Sequence, residues 1–343
     1  MGRVWCALLL VGLLSIGFVD QPQAQIPHMF SAWCSPLVNE LKEWDYNTSM
    51  PAGRSRYTAS VLSDGRILVA GGRNAGTAQA TTWFFRTVNG NASWVSGTNL
   101  PAARENHTAS VLSDGRILVA GGRNAGTAQV TTWLGTVSGT SVTWVASTDQ
   151  PAAFSHQAAS VLPDGRILIS GGFNNSNVAQ TTTWLGTVSG TTINWIASTA
   201  LPAIRYWHTS SVLPDGRILI IGGNNGSAAQ STTWLGTVSG TTISWVASTA
   251  LPAVRYGLAS SIMPDNRILV TAGSDSAQSP QSTAWLGTVS GTSISWVATN
   301  SIMYGRGHIT TSVLPDDRIM LFGGWDGAND TNTVYRSRWI NGC

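Results

Sequence analysis

The side chains in this chain best suited to chemistry stand in one recurring window. Arginines occur at a single repeated position, Arg54, Arg104, Arg205, Arg255 and Arg306, and Phe154 fills it once. The next three positions differ in every copy: Ser55-Arg56-Tyr57, Glu105-Asn106-His107, Ser155-His156-Gln157, Tyr206-Trp207-His208, Tyr256-Gly257-Leu258 and Gly307-His308-Ile309. Four of the five histidines lie here. Guanidinium forks beside rings suit carboxylates, sulfates or phosphates. Tyr206, Trp207 and Tyr256 are able to stack on a sugar ring or a peptide side chain. The candidate ligand-binding set is Arg54, Tyr57, Arg104, Glu105, His107, His156, Arg205, Tyr206, Trp207, Arg255, Tyr256, Arg306 and His308. Glu105 is the only acid in the window, so an electropositive site is expected. An arginine repeated five times has a second reading, as a bond donor to backbone carbonyls of the frame, and the two readings weigh equally here.

Other chemistry is sparse. There is no G-x-S-x-G, H-E-x-x-H, P-loop, C-x-x-C or D-x-D-x-D-G motif. No catalytic residue, metal or cofactor is assigned. Charged residues are only 10% of 343, against roughly 25% in an ordinary soluble domain, and the net charge is +3. Lys42 is the only lysine. Such a small excess excludes a nucleic-acid backbone binder. With 43% hydrophobic residues the chain is not disordered, and the low charge excludes a coiled coil.

The elements that must hold the window are repeats. A D-G-R turn recurs at Asp64, Asp114, Asp164 and Asp215, then as D-N-R at Asp265 and D-D-R at Asp316, with spacings of 50, 50, 51, 50 and 51. Glycine doublets follow, as at Gly71-Gly72, with Ala272-Gly273 in the fifth copy. Then come Trp83, Trp133, Trp184, Trp234, Trp285 and Tyr335, and 11 residues later Trp94, Trp144, Trp195, Trp245 and Trp296. Each copy reads as four strands. In the second these are Thr108 to Leu112, a D-G hairpin, Arg116 to Gly122, Thr131 to Val137, and Ser141 to Ala146. No copy has a helical apolar period. Four antiparallel strands per repeat, closed in a ring, make an all-β propeller of six blades.

The period and the D-G-R, G-G, Trp, Trp order resemble the kelch-repeat family over about Val38 to Cys343. The resemblance implies a six-bladed kelch-type β-propeller. It also implies that the arginine beside the innermost strand lines a ligand-binding mouth, and that His107 and His208 have structural roles. The D-G-R and S-G turns fall on the opposite face, where their Asp and Arg are read as turn chemistry and local ion pairs. The tryptophan columns are read as packing between blades. Kelch-like propellers include copper radical oxidases resembling galactose oxidase, but no cysteine lies in a blade to make their cross-link. They also include sialic acid mutarotases, which use a carboxylate and an arginine; Glu105 with Arg104 or Arg205 is the local analogue.

The sixth copy lacks its last strand. Trp44 precedes Pro51 by seven residues, as Trp94 precedes Pro101, so Leu41 to Asn47 is expected to complete it. Closure removes free edges and brings Cys34 and Cys343 together, for which a disulfide is expected; two free thiols or an intermolecular bridge are the alternatives. Residues 1–24 have the order of a secretory signal peptide, Arg3 followed by an apolar run from Val4 to Val19, too short for the roughly 20 residues of a membrane span. An uncleaved anchor is the alternative. The domains expected are a signal peptide (1–24), an N-terminal segment with Cys34 (25–37) and the propeller (38–343), with no membrane span in the mature chain. Sequons stand at Asn47, Asn91, Asn106, Asn174, Asn225 and Asn329; a glycan at Asn106 would crowd the mouth. The function expected is an exported binding protein, extracellular or periplasmic, for an anionic or glycan-bearing partner. A carbohydrate-modifying enzyme of the mutarotase type and a structural or adhesive surface protein are the alternatives.

Overall fold

The computed structural model describes residues 44–88 and 91–338. The expected signal peptide (1–24), the segment 25–37, Cys34 and Cys343 lie outside the described residues, and so does the disulfide expected between the two cysteines.

Six four-stranded antiparallel sheets make the blades of a β-propeller. Blade 1 runs Thr58–Val61, Ile67–Ala70, Thr82–Val88 and Asn91–Ser96. Blade 2 runs Thr108–Val111, Ile117–Ala120, Thr132–Ser138 and Ser141–Ala146, within a residue or two of the sequence reading. Blades 3, 4 and 5 begin at Ala158, Thr209 and Ala259. Blade 6 takes Thr310–Val313, Arg318–Phe322 and Thr333–Arg338 from the end of the chain, and Asp45–Ser49 from its beginning. No described residue is helical.

The second strands explain why the blades stack. Ile67–Ala70, Ile117–Ala120, Ile167–Ser170, Ile218–Ile221 and Ile268–Thr271 are buried at every position. A strand buried on both faces must have a sheet on either side. Accordingly the described core divides into six clusters, one at each junction of adjacent blades. Each isoleucine or leucine so covered contributes roughly 1.5–3 kcal/mol.

The ring closes as the tryptophan spacing implies. Trp44 Nε1 donates to the Asn300 carbonyl at 3.1 Å, the bond that Trp144, Trp195, Trp245 and Trp296 make to Thr98, Thr148, Thr199 and Thr249. Among the described residues the closing strand is Asp45–Ser49, and residues 41–43 of the expected strand lie outside them. Tyr46 pairs with Tyr335 and Thr48 with Val334, and the register shift at Asn47 carries the ladder on to Ser49.

The D-x-R turns are ties between blades as well as ion pairs. The Asp64 carboxylate accepts from the Arg66 amide and from its Nε at 2.8 Å. That fixes the guanidinium so that Nη1 reaches the Gly139 carbonyl of blade 2. Arg116, Arg166 and Arg217 reach Gly190, Gly240 and Gly291 in the same way, and Arg318 reaches Thr87. Inside the ring, hydroxyls pair across junctions: Ser160 with Ser210, Ser211 with Ser260, Ser261 with Thr311. At the junction of blades 6 and 1, Ser312 faces the equivalent position occupied by Ala59, and its buried hydroxyl has no partner among the described residues. Ala59→Ser is expected to supply the missing partner and raise stability by about 0.5–1 kcal/mol in urea unfolding.

Candidate functional site

Six residues, one entering each blade, form a circle around the propeller axis. The Asn106 amide donates to Arg56, His156 to Asn106, Trp207 to His156, Gly257 to Trp207, His308 to Gly257, and Arg56 to His308, at 2.7–3.3 Å. All six have left-handed backbone, with φ between 52° and 60°. Five of them are not glycine, so each conformer costs on the order of 1 kcal/mol. Gly257 is the exception for a local reason: a Cβ there would stand 2.7 Å from the His308 ring.

A second circle lies outside the first. The second glycine of each doublet donates to the carbonyl at the repeated arginine position of the next blade: Gly72 to Arg104, Gly122 to Phe154, Gly172 to Arg205, Gly223 to Arg255, Gly273 to Arg306 and Gly324 to Arg54. The donating glycine has no room for a side chain; a Cβ on Gly223 would lie 2.8 Å from the Tyr206 carbonyl oxygen and from the His208 Cβ.

Trp207 closes the axis. Its Nε1 donates to Asn106 Oδ1 at 3.0 Å. It stacks on Tyr256 with centroids 5.2 Å apart and 19° between planes, and it meets His156 at 4.8 Å and His308 at 4.5 Å. The Arg56 guanidinium lies 5.7 Å from its ring. One indole thus touches the entry segments of all five other blades. Above it opens a cleft of about 730 Å³; below it is a throat of about 120 Å³. The Asn106 sequon is committed to this contact, and its side chain is buried.

The cleft is two-sided. Phe173, Tyr206, Trp207, Tyr256 and His308 make a continuous run of rings on one side. Burial raises the phenols of Tyr206 and Tyr256, so they enter as neutral hydroxyls. On the other side stand Arg56 and Arg73. Arg56 Nη1 bonds Glu105 Oε2 at 3.2 Å, and Arg73 Nε lies 4.0 Å from the same oxygen. The Nε atoms of both arginines are buried without a hydrogen-bond partner among the described residues. Asp330, held by the Ser55 hydroxyl at 2.5 Å, lines the same cleft. Two cations and two acids therefore meet there, and the site is less electropositive than the window alone implied.

The repeated arginines lie elsewhere. Arg54, Arg104, Arg205, Arg255 and Arg306 are at most 5% exposed. Arg54, Arg104, Arg205 and Arg255 lie over Trp83, Trp133, Trp234 and Trp285 at 3.7–5.1 Å. All five bond the threonine that opens the third strand or ends the loop before it: Thr81, Thr131, Thr232, Thr283 and Thr333. Of the two readings, frame and mouth, the geometry gives the frame. Tyr57 is also internal, its hydroxyl bonded to the Phe322 carbonyl. His107 and His208 bond Thr58 and Ser170 at 3.1 and 2.9 Å. Of the expected residues, Tyr206, Trp207, Tyr256 and His308 line the cleft, Glu105 stands behind it against Arg56 and Arg73, and His156 supports Trp207 from beneath. Arg56, Arg73 and Trp325 were outside the expected set; their signal was that no other blade repeats the first and last.

Burial, aided by neighbouring guanidiniums, pushes His107, His208 and His308 down to about 3 and His156 well below its ordinary value. All four are neutral at pH 7. Among the described residues no His, Cys, Asp and Glu cluster suits a metal ion, and no helix is long and apolar enough to cross a membrane.

The family model for the KLHDC2/KLHL20/DRC7 Kelch-repeats domain matches residues 32–223. Among solved structures, one described as "Structure of YjhT" is similar at 14% identity and a TM-score of 0.69, over 84% of this chain and 95% of that one. At that identity the likeness shows the fold. Comparison with curated proteins finds no match.

Two outcomes are expected. Arg205→Ala removes a buried ring contact and its hydrogen bonds and lowers unfolding free energy by about 3 kcal/mol, whereas Arg56→Gln changes it by less than about 1 kcal/mol. Unfolded histidines bind protons near pH 6.5 and the folded ones only near pH 3. Stability is therefore full above pH 6.5 and falls below it, by about 1 kcal/mol per histidine per pH unit, as thermal melts from pH 8 to 4 would show.

Proposed function

The chain belongs to the kelch-repeat family, and from that premise we propose that it is an exported binding protein whose mouth takes an anionic, glycan-bearing partner. The observation that carries this reading is that two partly exposed guanidiniums, Arg56 and Arg73, line one cleft with a run of aromatic rings. Arg56 and Arg73 offer donors for a planar acid. Trp207 and Tyr256 offer a stacked face for a sugar ring or a flat side chain. Kelch propellers serve as interaction scaffolds, and the differentiation of this one face argues against an adhesive protein acting through uniform flat surfaces. Export rests on the N-terminal sequence, and the partner is then an extracellular or periplasmic glycan or glycoprotein.

An enzyme of the mutarotase type is the second reading. It is favoured by the carboxylate of Glu105, held beside the Arg56 guanidinium. One acid and one cation are a small apparatus for proton transfer. Sugar mutarotation followed by NMR, abolished by Glu105→Gln, would put it first.

The binding reading is tested on a glycan array with the mature protein. Wild type is expected to retain carboxylated or sulfated glycans, and the double variant Arg56→Gln/Arg73→Gln to lose them by more than about tenfold with an unchanged melting temperature. Equal retention by the double variant would overturn it.

A further inference from the structure

The acid at position 105 is not called for by its place in the backbone. In every blade the residue at this position exchanges two backbone hydrogen bonds with the residue after the glycine doublet: Ser55 with Arg73, Glu105 with Arg123, Ser155 with Phe173, Tyr206 with Asn224, Tyr256 with Ser274 and Gly307 with Trp325. Serine, tyrosine and glycine all serve, so the backbone pairing does not need the carboxylate; its partners are side chains. What it does touch is the cation pair. A single oxygen, Oε2, faces Arg56 at 3.2 Å and Arg73 at 4.0 Å. That is a one-point contact to groups built for two-point contacts.

We propose that Glu105 is an intramolecular stand-in for the ligand's acid. Its Oε2 holds the anion position between Arg56 and Arg73 beside the mouth, and an incoming carboxylate must take that position from it. This deepens the anion-binding reading and rests on it. The ligand class is an acid whose two or more equivalent oxygens span both guanidiniums, carried beside a ring that lies on Trp207. Glu105 offsets the mutual repulsion of the two arginines until such a group arrives, and its like charge keeps the bound state weak and reversible. It thus sets affinity for anions and leaves neutral sugars unaffected.

The test compares wild type, E105Q and E105S by titration calorimetry with an oligogalacturonate and with its fully methyl-esterified form. Serine stands at this position in blades 1 and 3, so E105S keeps the fold if glutamine does not; melting curves check both. The expected result is a gain of about tenfold to a hundredfold for the acid form in both variants, the size of a like-charge contact near the surface, with no gain for the ester. Wild-type binding of the acid that is unchanged or weakened in the variants would overturn the stand-in role and leave the anion site intact. Binding by the variants alone would support the role in its strongest form. If none of the three binds the acid form, the stand-in role and the anion-binding reading fall together.

Discussion

Two concentric circles of backbone hydrogen bonds hold this molecule at its axis. The outer one runs from glycine amides to carbonyls of the next blade, and the inner one links six left-handed residues head to tail. A net backbone hydrogen bond is worth about 1 kcal/mol, the same order as the cost of a left-handed non-glycine residue. The inner circle is therefore close to neutral by itself. It persists because the blade junctions, filled by isoleucine, leucine and tryptophan, leave the entry segments no other path.

That circle separates frame from site within four consecutive residues. Arg54 turns outward and stacks on Trp83. Ser55 pairs with Arg73, and Arg56, flipped to the left-handed region, swings over the axis toward Trp207. Tyr57 turns down and bonds Phe322. Repeated six times, the same flip delivers an arginine, an asparagine, two histidines and a tryptophan to one point, and Gly257 leaves the space that His308 fills. The chemistry of the mouth is thus decided by one side chain per blade, and the cleft above is shaped by the loops that follow the glycine doublets.

Much of this was legible in the residues. The turn spacing, the doublets and the two aromatic columns define six four-stranded units, and the distance from Trp44 to Pro51 identifies the borrowed strand. The division between the two kinds of arginine was not legible. Arg104 and Arg205 recur because five of the six blades use an arginine in the same frame role, and recurrence is a property of frames. Arg56 and Trp325 stand out only because no other blade has them, and a single unrepeated residue carries little signal without the backbone path. The left-handed flip itself has no sequence mark, since arginine, asparagine, histidine and tryptophan all adopt it here. Asp330 was hidden for another reason: it lies in a loop of blade 6 and meets Ser55 only after the ring closes.

The central claim is that the ring is one closed mechanical unit, and native-state hydrogen exchange at its six amides tests it directly. The seam bond, from the Arg56 amide to the His308 carbonyl, is the longest of the six at 3.3 Å. The account predicts that Arg56, Asn106, His156, Trp207, Gly257 and His308 share a single opening free energy, equal to that of global unfolding. Rapid exchange at Arg56 through a local opening, with the other five still protected, would contradict it.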